Sequence, residues 1–329
     1  MTKLKISLFL FLLSGLPFCG FAQLPSATSA NRIEMDFISD TQAPMLVEKI
    51  ILKPNQNKKA TSLLFAQIVK TKPQSVYMLG DVVSLGYRNR KWKKVDTFLD
   101  SCRKENTMVC GLLGNHDVMG RTKKGERNFV KRFPENVRTG YVSITDSVAI
   151  VLLNSNFKKL SAGDKVKQNE WYQSQLNMLD TSDAIKAIIV TCHHAPYSNS
   201  VIVGSSTSVQ QNFVQPFIHS KKARLFITGH AHDFEHFKVE GKDFLVIGGG
   251  GGLHQPLSNS ATKLSDLALG YKPMFHYLSV KRAGDELSAT SYFLSSDFNE
   301  FGTGHSFTTQ QTELTAGKNI ANKKDQPTF

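Results

Sequence analysis

Polar residues able to bind metal ions recur in five short clusters along the 329-residue chain. In chain order they are Asp40-Thr41-Gln42, Gly80-Asp81, Gly114-Asn115-His116-Asp117, His193-His194 and Gly229-His230-Ala231-His232. Together they offer carboxylate oxygens, amide oxygens and imidazole nitrogens, which suit borderline-hard divalent cations. Two cations roughly 3.5–4 Å apart can share a carboxylate, clamp a phosphate and lower the pKa of a water molecule. The clusters therefore indicate metal-assisted hydrolysis without a protein nucleophile.

Each cluster taken alone also fits a structural role. Gly80-Asp81 is typical of a turn after a strand, and residues 114–117 could form a loop with Asn115 in the left-handed conformation. His193-His194 could be a hydrogen-bonded pair near the surface. The order of the clusters and their complementary donor types favour one common site over five unrelated turns.

A predicted strand precedes each cluster, which explains how distant residues could meet. Strands are predicted at 35–39, 76–79, 108–113, 186–191 and 225–228, and helices at 60–70 and 92–103. The β-α-β-α-β order at the start indicates a parallel sheet. Ligands bind at the carboxyl ends of the strands in such sheets, so we expect the clusters to converge there.

The second half of the chain is richer in strands. Hairpins are predicted for 141–145 with 148–154, around Asp146-Ser147, and for 234–239 with 244–247. Helices at 170–179 and 213–219 and strands at 275–280 and 288–294 complete the pattern. With no internal repeat and no linker, one domain with two packed sheets is the interpretation that fits.

The chain ends differ from this domain. Residues 1–22 have two lysines, an apolar run and a small-residue cleavage pattern, and are predicted to be a signal peptide. We therefore assign a domain to 23–307, a polar flexible tail to 308–329, and expect an exported protein, periplasmic or secreted. No segment after the signal peptide is apolar for long enough to cross a bilayer.

Charge and cysteine content limit the classes of partner. The formal charge is +13, or +11 without the two lysines of the signal peptide, which favours anionic partners. The basic residues are scattered and lack interleaved aromatics, which disfavours nucleic acid. Cys102, Cys110 and Cys192 would remain; Cys102 could pair with Cys110, but small buried side chains are the favoured interpretation.

The clusters together resemble the calcineurin-like metallophosphoesterase superfamily over residues 35–252. The matching stretches are Phe37–Gln42, Leu79–Asp81, Leu113–Asp117, Val190–Tyr197 and Thr228–His232. Their combination is most similar to the purple-acid-phosphatase-like branch. The resemblance implies an α/β fold, a four-layer α-β-β-α sandwich of two mixed sheets with helices outside and the site at the carboxyl ends of the strands.

The resemblance also implies a role for each matching residue. Asp81 would bridge two metal ions, and His116 would contact the substrate phosphate or protonate the leaving group. Asp117 would orient and charge-stabilise His116. The remaining residues would be metal ligands, with Asp40, Gln42 and His232 at the first metal and Asn115, His193 and His230 at the second.

Two departures from the family pattern concern the first metal. Gln42 stands where the superfamily commonly has histidine, and Ser84 stands where purple acid phosphatases have their tyrosine, so a tyrosinate–iron centre is not expected. The implied cofactors are two divalent ions, with manganese, iron and zinc all open. His193 is preferred to His194 as the ligand because it comes first after its strand.

These residues indicate a phosphoesterase acting on a phosphomonoester or a phosphodiester. Two alternatives stay open: a metal-binding scaffold with decayed activity, suggested by Gln42, and an Mre11-like nuclease, suggested by the positive charge. The glycine run at 248–252 resembles a phosphate cradle, but it lacks the ending of a P-loop. Close backbone approach beneath the metal site is its preferred explanation. The oligomeric state is left open.

Overall fold

The computed structural model describes residues 34–260 and 263–309. The predicted signal peptide lies outside the described residues, as does the predicted tail from residue 310 onward. Thr308 and Thr309, which the sequence analysis placed in the tail, belong instead to the folded domain. Thr308 pairs with Ser288 in the last sheet ladder, and the Thr309 N–H donates to the Leu287 carbonyl.

The first sheet has six strands in the order β12-β11-β10-β1-β2-β3. Its parallel half consists of β1 (Glu34–Ile38), β2 (Ser75–Met78) and β3 (Met108–Gly111). Its antiparallel half consists of β10 (His276–Ala283), β11 (Glu286–Leu294) and β12 (Phe301–Thr308). Strand β12 has no counterpart among the strands predicted from the sequence.

The second sheet has the order β4-β5-β6-β7-β9-β8. Its strands are β4 (Tyr141–Thr145), β5 (Val148–Leu152), β6 (Ala187–Thr191), β7 (Ala223–Thr228), β8 (Phe234–Val239) and β9 (Lys242–Ile247). The β4–β5 turn has Asp146 and Ser147 at φ 47° and 61°, and the β8–β9 turn has Glu240 and Gly241 at 47° and 77°. Paired positive φ values match the twist of hairpin strands, so both predicted hairpins form.

Most of the helices connect parallel strands, and α4 lies between β3 of the first sheet and β4 of the second. They are α1 (Glu48–Ile51), α2 (Asn57–Thr71), α3 (Asn89–Lys104), α4 (Thr122–Val130), α5 (Ala162–Thr181), α6 (Thr207–Val209) and α7 (Gln215–His219). A π-helical segment, Gln210–Val214, joins α6 to α7. Helix α5 begins eight residues before its predicted start because Ser161 caps it, accepting from the Asp164 N–H at 3.0 Å.

Alternating side chains of the strands build the layers. In β2, Tyr77 belongs to the apolar cluster shared by the two sheets, whereas Val76 and Met78 belong to the cluster beneath α2 and α3. In β6, Ile189 faces the other sheet, and Val190 packs with residues of α5 and α7. Successive strand residues point to opposite faces, so each sheet is covered on both sides. The predicted four-layer sandwich is confirmed.

The described residues agree with two simpler expectations. Cys102, Cys110 and Cys192 are buried and unpaired, so the alternative pairing of Cys102 with Cys110 is wrong. Within the described ranges, no helix has the length and apolar character needed to span a membrane.

Candidate metal centre

The five clusters follow strands whose carboxyl ends meet. Asp40 follows β1, Asp81 follows β2 and Asn115 follows β3, while the two histidine clusters follow β6 and β7. Three candidate ligands hold left-handed backbone conformations, with φ 59° at Asp40, 48° at Asp81 and 69° at His230. Such conformations cost free energy for residues other than glycine and concentrate at functional sites.

The donor atoms of the second predicted metal set lie close together. Donor atoms of Asp81, His193 and His230 lie within 4.8 Å of one another. His193 Nε2 lies 3.3 Å from Asp81 Oδ2 and 3.1 Å from Asn115 Oδ1. The other ring nitrogen of His193, Nδ1, lies 3.0 Å from the Leu79 carbonyl oxygen, to which it donates. That bond orients the ring so that Nε2 is the atom directed toward the candidate metal position.

The first predicted set lies beside it. His232 Nε2 lies 3.4 Å from Asp40 Oδ1, and His232 Nδ1 donates to the Leu253 carbonyl at 2.7 Å. Asp40 Oδ2 accepts from the His230 N–H at 2.9 Å. Asp40 Oδ1 is buried and has no hydrogen-bond partner among the described residues. A buried carboxylate oxygen without a donor is costly, and a cation at this position would satisfy it.

The hydrogen-bond acceptors around Gln42 assign its amide. One terminal atom lies 2.7 Å from the Asp81 carbonyl oxygen and 3.1 Å from that of Asp40, so this atom is the donating nitrogen. The other atom, 3.4 Å from His232 Nε2, is therefore the amide oxygen. Gln42 thus presents an oxygen ligand beside His232, and the residues present fit a metal pair.

Burial and mutual attraction set the protonation of the ligands. Burial alone would raise the pKa of Asp81 and lower that of His193. Attraction between them, with His116 and Asp40 contributing, instead lowers the pKa of Asp81 and raises that of His193 to about 9. The His232 pKa is raised by Asp40 against the opposing effect of burial. Burial and two neighbouring histidines hold the His230 pKa well below its usual range, so His230 is neutral and able to bind a cation.

His116 lies over the site and is nearly buried. Its backbone N–H donates to Asp81 Oδ1 at 2.7 Å, which places the side chain beside the bridging carboxylate. His116 Nε2 lies 3.8 Å from Asp81 Oδ2 and 3.7 Å from Glu48 Oε1. His116 Nδ1 lies 3.4 Å from the Ser84 carbonyl oxygen. Glu48 was not among the predicted site residues, because no sequence pattern distinguishes an acidic residue six positions after Gln42.

Asp117 has different partners from those the resemblance implied. Its carboxylate accepts from three backbone N–H groups, those of Val82, Val83 and Gly114, at 3.3, 3.1 and 2.9 Å. The ring of His116 faces Ser84 and Glu48 instead. Asp117 therefore ties the loop after β2 to the loop after β3. Its role in orienting His116 stays a prediction.

His194 lies next to the ligands. Its Nδ1 is 2.8 Å from the Ser155 hydroxyl, and its ring centroid is 4.3 Å from that of His230. Burial lowers the His194 pKa to about 3, with a further contribution from His193. The geometry thus favours His193 as the ligand and leaves His194 as a neutral neighbour of His230.

The glycine run at 248–252 passes directly beneath the site. A Cβ atom at Gly252 would lie 2.4 Å from His232 Cε1, and one at Gly250 would lie 2.2 Å from the Ser39 carbonyl oxygen. Close backbone approach, the preferred explanation of the run, is therefore confirmed, because any side chain here would displace a ligand loop.

The two packed mixed sheets form an α/β sandwich with a candidate metal site, because oxygen and imidazole donors gather at the carboxyl ends of its strands. The chain belongs to the calcineurin-like phosphoesterase family, whose model matches residues 35–234. The family normally binds divalent metals. No curated protein sequence matches the chain significantly.

Solved structures agree with the fold. A purple acid phosphatase from yellow lupin superimposes with a TM-score of 0.58 at 14% identity, covering 84% of this chain and 53% of its own. The chain thus spans about half the length of that enzyme. GAP50 from Plasmodium, described as an anchor in the inner membrane complex, gives 0.59 at 14% identity over 86% and 90%. A dimetal phosphatase from Danio rerio gives 0.51 at 14% identity over 85% and 99%.

Proposed function

We propose that the protein hydrolyses phosphate esters, monoesters or diesters, with two divalent metal ions drawn from manganese, iron and zinc. The observation that supports this most directly is the adjacency of two donor sets. One set is Asp81, Asn115, His193 and His230, and the other is Asp40, Gln42 and His232. The bond from the His230 N–H to Asp40 Oδ2 joins the two sets. When bound, a metal pair would polarise the phosphoryl oxygens and lower the pKa of a water molecule.

In this proposal, His116 is the residue that moves a proton. Its Nδ1 lies 3.4 Å from the Ser84 carbonyl oxygen, which orients the ring. Its Nε2 lies 3.8 Å from Asp81 Oδ2 and 3.7 Å from Glu48 Oε1, beside the proposed bridging carboxylate. His116 would then stabilise the phosphoryl oxygens or protonate the departing oxygen, as general acids do.

The test compares Asp81→Asn with Asp100→Asn, a control on the exposed face of α3. Both proteins would be loaded with manganese and assayed with 4-nitrophenyl phosphate and bis(4-nitrophenyl) phosphate. We expect Asp81→Asn to lose turnover on the order of a thousandfold, as for the loss of a shared ligand, with an unchanged circular dichroism spectrum. Full activity in this variant would reject the proposal.

Metal analysis separates this proposal from its alternatives. Absence of bound metal and of turnover with manganese, iron and zinc would favour a scaffold with a decayed site. Cleavage of DNA in preference to both chromogenic esters would favour a nuclease.

Export and the domain limits are also proposals. We propose cleavage after residue 22 and a tail beginning at about residue 310. Amino-terminal sequencing of the protein recovered from the periplasm or medium tests the first, and limited proteolysis tests the second.

A further inference from the structure

A cavity of about 430 Å³ lies between the amino-terminal halves of α2 and α3. Its inner wall includes Thr41, Val82, Val83 and Ser84. These residues belong to the two loops that carry Asp40, Gln42 and Asp81. The space, called here the α2–α3 cavity, therefore borders the backs of both metal-binding loops.

The α2–α3 cavity is strongly basic. Five cationic side chains line it, and none of its lining residues is acidic: Lys58, Arg90, Lys91, Lys93 and Lys94. Within the described part of the chain, none of the five lies within ion-pair distance of a carboxylate. The acids further along α3 are occupied elsewhere, since Asp96 binds Arg132 and Asp100 binds Arg103.

The cationic side chains of the cavity lie close enough together to lower the pKa of their neighbours. Burial lowers the pKa of Lys91 and of Lys94, and neighbouring cations lower both further, Arg90 and Lys58 acting on Lys91 and Lys58 acting on Lys94. Like charges held together in a concave site raise the local concentration of anions. The cavity therefore has the electrostatic character of an anion site.

Ser84 adds an observation that does not depend on charge. Its side chain is 1% exposed, and its hydroxyl has no hydrogen-bond partner among the described residues. A buried hydroxyl without a partner is unfavourable, and a bound oxyanion would supply an acceptor. The carbonyl of Ser84 lies 3.4 Å from His116 Nδ1, so the cavity wall also contacts the residue that would move a proton.

A second basic depression, of about 560 Å³, adjoins the first at Arg90. Arg88, Arg121 and Lys124 line it, and both arginines lie over the Tyr87 ring, at 5.5 and 5.8 Å from its centroid. The positive surface is therefore continuous around the start of α3 and can accommodate more than one phosphoryl group.

We propose that the α2–α3 cavity binds a phosphoryl group other than the one hydrolysed. The group would be either a second phosphate of the substrate or a free polyphosphate. The first source rests on the proposed phosphoesterase function, whereas the binding itself does not. Lysine and arginine donate charge-assisted hydrogen bonds to phosphate, and the Ser84 hydroxyl would donate another.

The binding experiment uses the full chain stripped of metal by a chelator, with tripolyphosphate as the probe. Calorimetric titration compares the wild type with the double variant Lys91→Gln/Lys94→Gln and with Lys104→Gln. Lys104 is an exposed lysine at the other end of α3 and controls for the general effect of charge. We expect affinity to fall about tenfold in the double variant, as for the loss of charge-assisted contacts, and to be unchanged in Lys104→Gln.

A kinetic experiment with the manganese-loaded protein distinguishes the sources. It compares propane-1,3-diol bisphosphate with propyl phosphate. A fall of about tenfold in the ratio of their kcat/KM values in the double variant would assign the cavity to a second substrate phosphate. An unchanged ratio with weakened tripolyphosphate binding would assign it to a free polyphosphate.

Two results distinguish failure of this inference from failure of the proposed function. Equal tripolyphosphate affinity in the wild type and the double variant overturns the cavity site, whatever the turnover. Turnover of none of the four esters, the two alkyl phosphates and the two chromogenic esters, together with the expected loss of tripolyphosphate binding, rejects the phosphoesterase proposal and supports the cavity as a site for a free polyphosphate.

Discussion

The amide oxygen of Gln42 lies 3.4 Å from Nε2 of His232, and the amide nitrogen donates to the carbonyls of Asp81 and Asp40. The two backbone bonds fix which end of the amide faces the site. In the proposed metal pair, a neutral oxygen donor would therefore complete the first set, at the position where the superfamily pattern has a histidine. An oxygen ligand binds more weakly than imidazole to late transition metals, so the first metal should exchange more readily than the second.

Gln42→Ala should lose one of two metal ions. Asp40, His232 and the shared Asp81 would then hold the first cation too weakly to survive dialysis, whereas the donors of the second set are unaffected. We expect metal content measured by plasma emission to fall from two equivalents to one. Activity should fall on the order of a hundredfold.

Gln42→His is the matched variant, because it restores an imidazole donor. The Gln42→His protein should retain two equivalents of metal and bind zinc more tightly than the wild type. Loss of both metals in Gln42→Ala, or loss of neither, would contradict the assignment of Gln42 to the first set.

His116→Gln should reveal its role through the leaving group. If His116 protonates the departing oxygen, its loss is serious for an alkyl phosphate and mild for 4-nitrophenyl phosphate, whose leaving group needs no proton. We expect a loss of roughly 10²–10⁴ with the poor leaving group and at least tenfold less with the good one. Equal losses for both esters would instead show that His116 only stabilises the phosphoryl oxygens.

The features predicted correctly from the sequence are those that depend on local residue pattern. The strands before Asp40, Asp81 and His230 were found because short apolar runs ending in turn residues are recognisable, and the ligands followed from their places after these strands. Strand β12 escaped detection because Gly302 and Gly304 interrupt its alternation. The partners of Asp117 could not be predicted, because they are backbone N–H groups. Every residue other than proline has such a group, so residue type does not show which of them donate to Asp117.

The contact of Glu48 with His116 likewise could not be predicted from local sequence. Its approach to His116 depends on the path of the chain between β1 and α2, where α1 has only four residues and no apolar face that is buried. Long-range contacts made by such short segments are set by tertiary packing and not by propensity.

Asp117 should contribute more to stability than to proton transfer. Asp117→Ala would leave the N–H groups of Val82, Val83 and Gly114 without an acceptor in a buried position. We expect the free energy of unfolding, measured with urea in the presence of a chelator, to fall by about 2–4 kcal/mol. The pH–rate profile of Asp117→Asn should keep its acid limb, because the carboxylate does not contact the His116 ring. A displaced acid limb with unchanged stability would instead support the role of orienting His116.

Metal affinity should rise with pH because His193 must lose a proton to bind. Its pKa in the metal-free protein is raised to about 9, whereas the His230 pKa is lowered. Between pH 6 and 8, each bound ion at the second set therefore displaces about one proton, and affinity should rise about tenfold per pH unit. Titration calorimetry in buffers of different ionisation enthalpy measures both quantities. His219→Gln, a change at an exposed histidine of α7, is the control that should keep the slope.

The stability of the metal-free protein should change in the opposite direction. The folded-state pKa of His193 lies above its unfolded value of 6.5, so its stabilising contribution is complete below that pH and is lost as the pH rises through about 9. The chelator-treated protein should therefore have a lower Tm at pH 9 than at pH 6, while the manganese-loaded protein gains relative stability over the same range. Metal affinity that does not vary with pH, or a metal-free Tm that rises toward pH 9, would show that His193 is neutral before the metal binds.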